Sequence, residues 1–107
     1  MLLEPQEAIR EITHRIIAAS SPKKIILFGS FARGDFNENS DIDILVVEST
    51  VKSKHAEMVR LRKVLRGILI PIDVLVISEE EYQLRSSTPS NVYYWAKKEG
   101  KMLYEAA

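Results

Sequence analysis

The chain has no cysteine. Disulfides, thiolate nucleophiles and zinc–cysteine sites are therefore excluded. Glycine and proline are scarce, with four of each in 107 residues, so each one marks a place where the backbone turns or stops. No apolar run approaches the ~20 residues that span a bilayer. The N-terminal stretch lacks the basic and apolar blocks of a secretory signal, and the expectation is a cytoplasmic protein away from membranes. Formal net charge is zero, so overall charge supplies no pull toward nucleic acid, which is not expected as a primary ligand. His14 has no second histidine at metal-ligand spacing and reads as a surface residue. The content that remains, 46 % hydrophobic with mixed charge, describes one folded domain around one core.

Against that background one stretch stands out. The apolar run Ile25-Ile26-Leu27-Phe28 leads into Gly29-Ser30-Phe31-Ala32-Arg33-Gly34. A turn-rich loop, Asp35 to Asn39, follows. Ser40-Asp41-Ile42-Asp43 then opens a second apolar run, Ile44-Leu45-Val46-Val47. Residues i and i+2 of a strand share a face, so Asp41 and Asp43 are expected side by side at a strand's beginning. Two bare carboxylates so placed repel, and one is driven to keep its proton. A divalent cation removes the conflict, and Mg2+ favours one or two carboxylates together with substrate phosphates. Gly29 permits a tight turn and close backbone approach. The segment from Ser30 can begin a short helix whose N–H groups face an anion. Ser30 has no adjacent base and is not read as a covalent nucleophile.

A third carboxylate lies in Ile70-Pro71-Ile72-Asp73-Val74-Leu75-Val76-Ile77, an otherwise apolar strand. An isolated charge there is costly when unpaired. Sharing a cation with Asp41 and Asp43 accounts for it, since such carboxylates can hold two metal ions roughly 3.5–4 Å apart.

Gly29-Ser30, Arg33-Gly34, Ser40, Asp41, Asp43 and the lone Asp73, in this order, resemble the nucleotidyltransferase superfamily that includes DNA polymerase beta. More closely, the chain looks like the minimal nucleotidyltransferases of the MNT or MntA-like family. The resemblance is close over residues 23–77 and extends by element order over nearly the whole chain. It implies a nucleotidyltransferase-like α/β fold, a mixed sheet with helices packed against it, as a single minimal domain over residues 1–107. It implies metal binding and catalysis by Asp41, Asp43 and Asp73, with two Mg2+ ions. Nucleotide binding falls to Gly29, Ser30, Arg33 and Ser40, with ATP as substrate. Arg33 neutralises phosphate or forms a salt bridge with one of the acids, and both readings stay open. Ser40 caps or braces Asp41, or serves the turn alone. Family members are similar to antitoxins that adenylylate a tyrosine of a HEPN-domain toxin, so such a toxin is the implied partner, in a homo- or hetero-oligomer. The competing readings are a nucleotide-binding module that inhibits a partner without turnover, and transfer to a small molecule or an RNA end.

The rest of the chain supplies a scaffold. Glu4-Pro5 opens a helix whose stripe is Ile9, Ile12, Ile16 and Ile17, ended by Ser20-Ser21-Pro22. Glu48 to Ser53 reads as a polar connection. A helix follows from about Lys54 to Gly67, with Met58, Leu61, Leu65 and Ile68 buried. Between Lys52 and Arg66 lie six basic residues against one acid; a solvated helix face is the plain reading, a phosphate or acidic-partner surface the alternative. Ser78 before Glu79-Glu80-Glu81 is an N-cap with acids complementing the helix dipole. Tyr82 and Leu84 are expected to pack. Asn91 to Glu99 forms the last helix, with Val92, Trp95 and Ala96 inward. Tyr93 and Tyr94 either pack or stack on a nucleobase. Lys101 to Tyr104 adds a final edge strand.

Overall fold

The computed structural model describes residues 4–107. Pro5 occupies the start of helix α1 (Pro5–Ser20), and Ser21 ends it in the left-handed conformation just before Pro22. Strand β1 (Lys24–Phe28) runs into a single turn of helix, α2 (Ser30–Arg33). The loop that follows leads into β2 (Ile42–Glu48), and α3 (Lys54–Val64) connects it to β3 (Ile72–Ser78). Two short helices, α4 (Glu79–Arg85) and α5 (Val92–Glu99), precede β4 (Lys101–Glu105).

The four strands form one mixed sheet in the order β3-β2-β1-β4. β2 and β3 run parallel, as a crossover through a helix allows, and the other neighbours are antiparallel. The expected mixed α/β sheet with packed helices is therefore present.

Period-two alternation distributes the core over both faces. On one face Ile25, Leu27, Ile44, Val46, Val74 and Val76 pack under α1 and α3, which contribute Ile12, Ile16 and Leu61. On the other, Ile26, Leu45, Val47 and Ile77 meet Tyr82 of α4 and Ala96 of α5. Asp43 and Asp73 lie on this second face by strand parity, and both are half-buried. The helices start where side chains satisfy their first N–H groups. Ser53 accepts from Ala56, Ser78 accepts from Glu81, and Asn91 accepts from both Tyr93 and Tyr94.

Four local expectations are corrected. The helix expected to reach Gly67 ends at Val64; the Leu65 and Arg66 N–H groups turn back to Arg62 and Lys63, and Gly67 takes a φ of +97°. Glu48 belongs to β2 and is buried rather than part of a polar connection. Leu84 is 74 % exposed, because α4 turns Tyr82 and Ser86, four residues apart, inward. Val92 and Trp95 are 40 % and 45 % exposed, because α5 presents Tyr93 and Ala96 to the sheet instead.

Candidate active site

The sequence-predicted residues meet at one end of the sheet. Phe28, last in β1, is the register partner of Asp43, and Asp43 is the register partner of Asp73. Asp41 precedes β2 and is exposed. Between the two acids, Ile42 donates its N–H to the carbonyl of Pro71 at 2.8 Å, which ties the start of β2 to the segment before Asp73.

Gly29 sits against this end. Its φ of +72° and ψ of −156° belong to a region that is essentially glycine's own. A Cβ there would collide with the Asp43 carboxylate. The Gly29 carbonyl accepts the N–H groups of Ala32 and Arg33, both at 3.1 Å, and the Ser30 carbonyl accepts that of Gly34 at 2.8 Å. These bonds set the turn so that Ser30 opens α2 immediately after Gly29, beside Asp43.

Ser40 closes the loop in front of Asp41. Its hydroxyl accepts the Asn37 N–H at 2.9 Å, and its own N–H donates to the Asn37 carbonyl at 3.0 Å. The Asn37 side chain accepts from Asn39 at 2.8 Å and finishes the turn. Arg33 pairs with Asp35 at 3.4 Å, and both are exposed. Its charge also reaches Asp43. Of the two readings of Arg33, the ion pair is the one this arrangement contains, with Asp35 as its partner.

The electrostatics are those of crowded acids. Burial, then the charges of Asp73 and Asp41, push the Asp43 carboxyl above its ordinary value, while Arg33 pulls it down. Asp73 is contacted by Arg62 of α3, Nη2 to Oδ1 at 3.3 Å. Among the described residues, no three carboxylate or imidazole side chains gather closely enough, as arranged, to hold one metal ion. The donor chemistry still fits a divalent cation, because positive charge between Asp41, Asp43 and Asp73 relieves the repulsion felt at Asp43.

Sequence reasoning missed two contributors. The Pro71 carbonyl is a backbone group without a sequence signature. Arg62 belonged to a basic helix read as solvated. The β2-α3-β3 order offered a clue, since the last turns of a crossover helix return to the start of the next strand.

Comparison with known proteins identifies the family and the fold. The sequence profile of the family described as nucleotidyltransferase domain matches residues 9–102. A protein of Methanocaldococcus jannaschii, provisionally named a protein adenylyltransferase, is 35 % identical over 106 residues, covering 95 % of this chain and 100 % of that protein. A second protein of the same organism, named in the same way, is 33 % identical over 79 residues, covering 69 % and 76 %. The crystal structure of a provisionally named nucleotidyltransferase from Sulfolobus solfataricus has a TM-score of 0.60 at 28 % identity, over 92 % of this chain and 86 % of that one. A crystal structure titled as a toxin-antitoxin with AMP-PNP has a TM-score of 0.63 at 23 % identity, over 96 % and 75 %, and shares the fold. On the span of the family match and the full-length likeness to the first relative, the chain belongs to the nucleotidyltransferase domain family, and it is a nucleotidyltransferase.

Proposed function

We propose that this nucleotidyltransferase moves AMP from ATP onto a hydroxyl of a partner protein, the acceptor being a tyrosine of a HEPN-type toxin. The observation that carries the reading is the meeting of Gly29 with Asp43, and of Asp43 with Asp73, at one sheet end. Names and titles add support. Two relatives are named for protein adenylylation, and two structural neighbours are titled as toxin-antitoxin complexes, one with AMP-PNP.

Catalysis of this class is mainly positioning and charge neutralisation. Asp41, Asp43 and Asp73 would hold the metal. Mg2+, when bound, supplies positive charge to the triphosphate and to the acceptor oxygen. The Gly29 backbone and the Ser30 N–H and hydroxyl hold the β- and γ-phosphates, which glycine allows to approach closely. Arg33 leaves Asp35 to offset phosphate charge. Asp73 orients the acceptor hydroxyl and takes its proton. The acceptor oxygen bonds to the α-phosphorus, the bond from that phosphorus to the bridging oxygen breaks, and pyrophosphate leaves. Ser40 holds the Asn37–Ser40 turn and so fixes the approach to Asp41.

The test is to coexpress the chain with its partner and weigh the partner by mass spectrometry. A gain of one AMP on a tyrosine, absent without this chain, supports the reading. An unmodified partner that is nonetheless inhibited overturns it in favour of a binding module. AMP on an RNA end overturns the protein acceptor.

A further inference from the structure

Asp43 and Asp73 are register neighbours on adjacent parallel strands, so their carboxylates leave the sheet on one face. They nevertheless do not converge with Asp41 around one point. The group in contact with Asp73 is the guanidinium of Arg62, at 3.3 Å. We infer that Arg62 is a latch on Asp73: it occupies that carboxylate in the metal-free protein and competes with the divalent cation for it. This rests on the carboxylate site proposed above.

Three features support a latch rather than a structural tie. Both partners are about half exposed, at 56 % and 49 %, so the pair can part without burying a bare charge. The contact is a single long N–O pair, not the two-pronged bonding that Arg60 makes to Glu57 at 2.8 and 2.7 Å. α3 is anchored independently, by buried Leu61 and by the Arg60 bond to the Ala19 carbonyl at 2.9 Å. Holding α3 on the sheet therefore does not require Arg62. What Arg62 does is lend a positive charge to one member of a crowded acidic set. A cation that takes Asp73 must displace it, and the freed guanidinium then lies within reach of the same sheet end, where the triphosphate would lie.

The experiment is a Mn2+ titration of the nucleotide-free protein, followed by the electron paramagnetic resonance of free Mn2+. It compares wild type, Arg62→Gln, Lys63→Gln, Asp43→Asn, Asp73→Asn and the Arg62→Gln/Asp73→Asn double variant. Lys63 is exposed and neighbours Arg62, so its variant controls for general charge. Circular dichroism checks that each variant folds. Arg62→Gln is expected to bind Mn2+ about two- to fivefold more tightly than wild type, the range of an exposed ion pair. Lys63→Gln is expected to match wild type, and the gain is expected to vanish when Asp73 is already Asn. Unchanged or weaker Mn2+ binding in Arg62→Gln overturns the latch, as does a gain that survives in the double variant. The two readings fail separately. If Asp43→Asn binds Mn2+ like wild type, the carboxylate site itself fails; if Asp43→Asn loses Mn2+ while Arg62→Gln equals wild type, the latch alone fails.

Discussion

Gly29 and Asp43 are packed so closely that the first side-chain carbon of any other residue at position 29 would strike the Asp43 carboxylate. The turn at Gly29 and the strand that carries Asp43 are thereby built as one unit. Gly29→Ala should damage both functions of the turn. Backbone strain at φ +72° plus the collision is expected to cost about 1–3 kcal/mol of stability. ATP affinity should fall with it. Urea denaturation and calorimetric ATP titration check the two effects, and unchanged ATP affinity would remove the turn from nucleotide binding.

Asp43, proposed above as a metal ligand, is held at a cost to the fold. Its folded-state pKa is raised, first by burial and then by Asp73 and Asp41. A raised carboxylate disfavours the ionised form, so the cost is absent at low pH and fully present once pH exceeds the folded value. Asp43→Asn should therefore raise the melting temperature at pH 7 while leaving it nearly unchanged near pH 3. A lower melting temperature at pH 7 would contradict this account of the crowding.

At the far end of β2, Glu48 is buried and its Oε2 has no hydrogen-bond partner. Burial, then the hydrogen bond and charge of Glu57, push Glu48 up to about 8. Arg60, then Glu48, hold Glu57 down to about 2. The signs are opposite. Stability contributed by Glu57 is present above its ordinary value and is lost as pH falls toward about 2. The penalty from Glu48 grows as pH rises from its ordinary value through about 8. Glu48→Gln should stabilise the protein at pH 9 by at least about 1 kcal/mol relative to its effect at pH 5, one pK unit's worth. Urea midpoints at the two pH values check it, and equal shifts at both would refute the raised Glu48 carboxyl.

Leu61 and Leu84 separate buried from exposed helix positions. Leu61→Ala, at a residue with no exposure, should cost about 2–5 kcal/mol. Leu84→Ala, at 74 % exposure, should stay within about 0.5 kcal/mol. Thermal melts of the two variants decide this, and a comparable loss in both would mean that Leu84 is covered in solution.

The contrast marks where sequence reasoning works. Long periodic elements declared themselves: Ile12 and Ile16 of α1 and Leu61 of α3 are buried as their spacing implies. The alternation in β3 sets Asp73 on the side of Leu75 and Ile77, because strand parity is fixed by the backbone, but its place beside Asp43 comes from the parallel register of β2 and β3. α4 and α5 have seven and eight residues. Two turns carry too few apolar positions to fix which side faces inward, so Leu84, Val92 and Trp95 were misdirected. Glu48 was misread because a charged residue after an apolar run looks like a strand's exit. Its carboxyl meets that of Glu57, nine positions on and brought close by the fold. Arg62 was illegible for the same reason: its partner is a tertiary contact, not a spacing.

The proposed role of Asp41, Asp43 and Asp73 in nucleotidyl transfer underlies the rest. It is tested most directly by incubating the purified chain and its partner with Mg2+ and ATP labelled on the α-phosphate, then comparing wild type with Asp43→Asn. Label is expected on the partner protein with wild type and none with Asp43→Asn, whose fold is intact by circular dichroism. Equal labelling by the two proteins would contradict it.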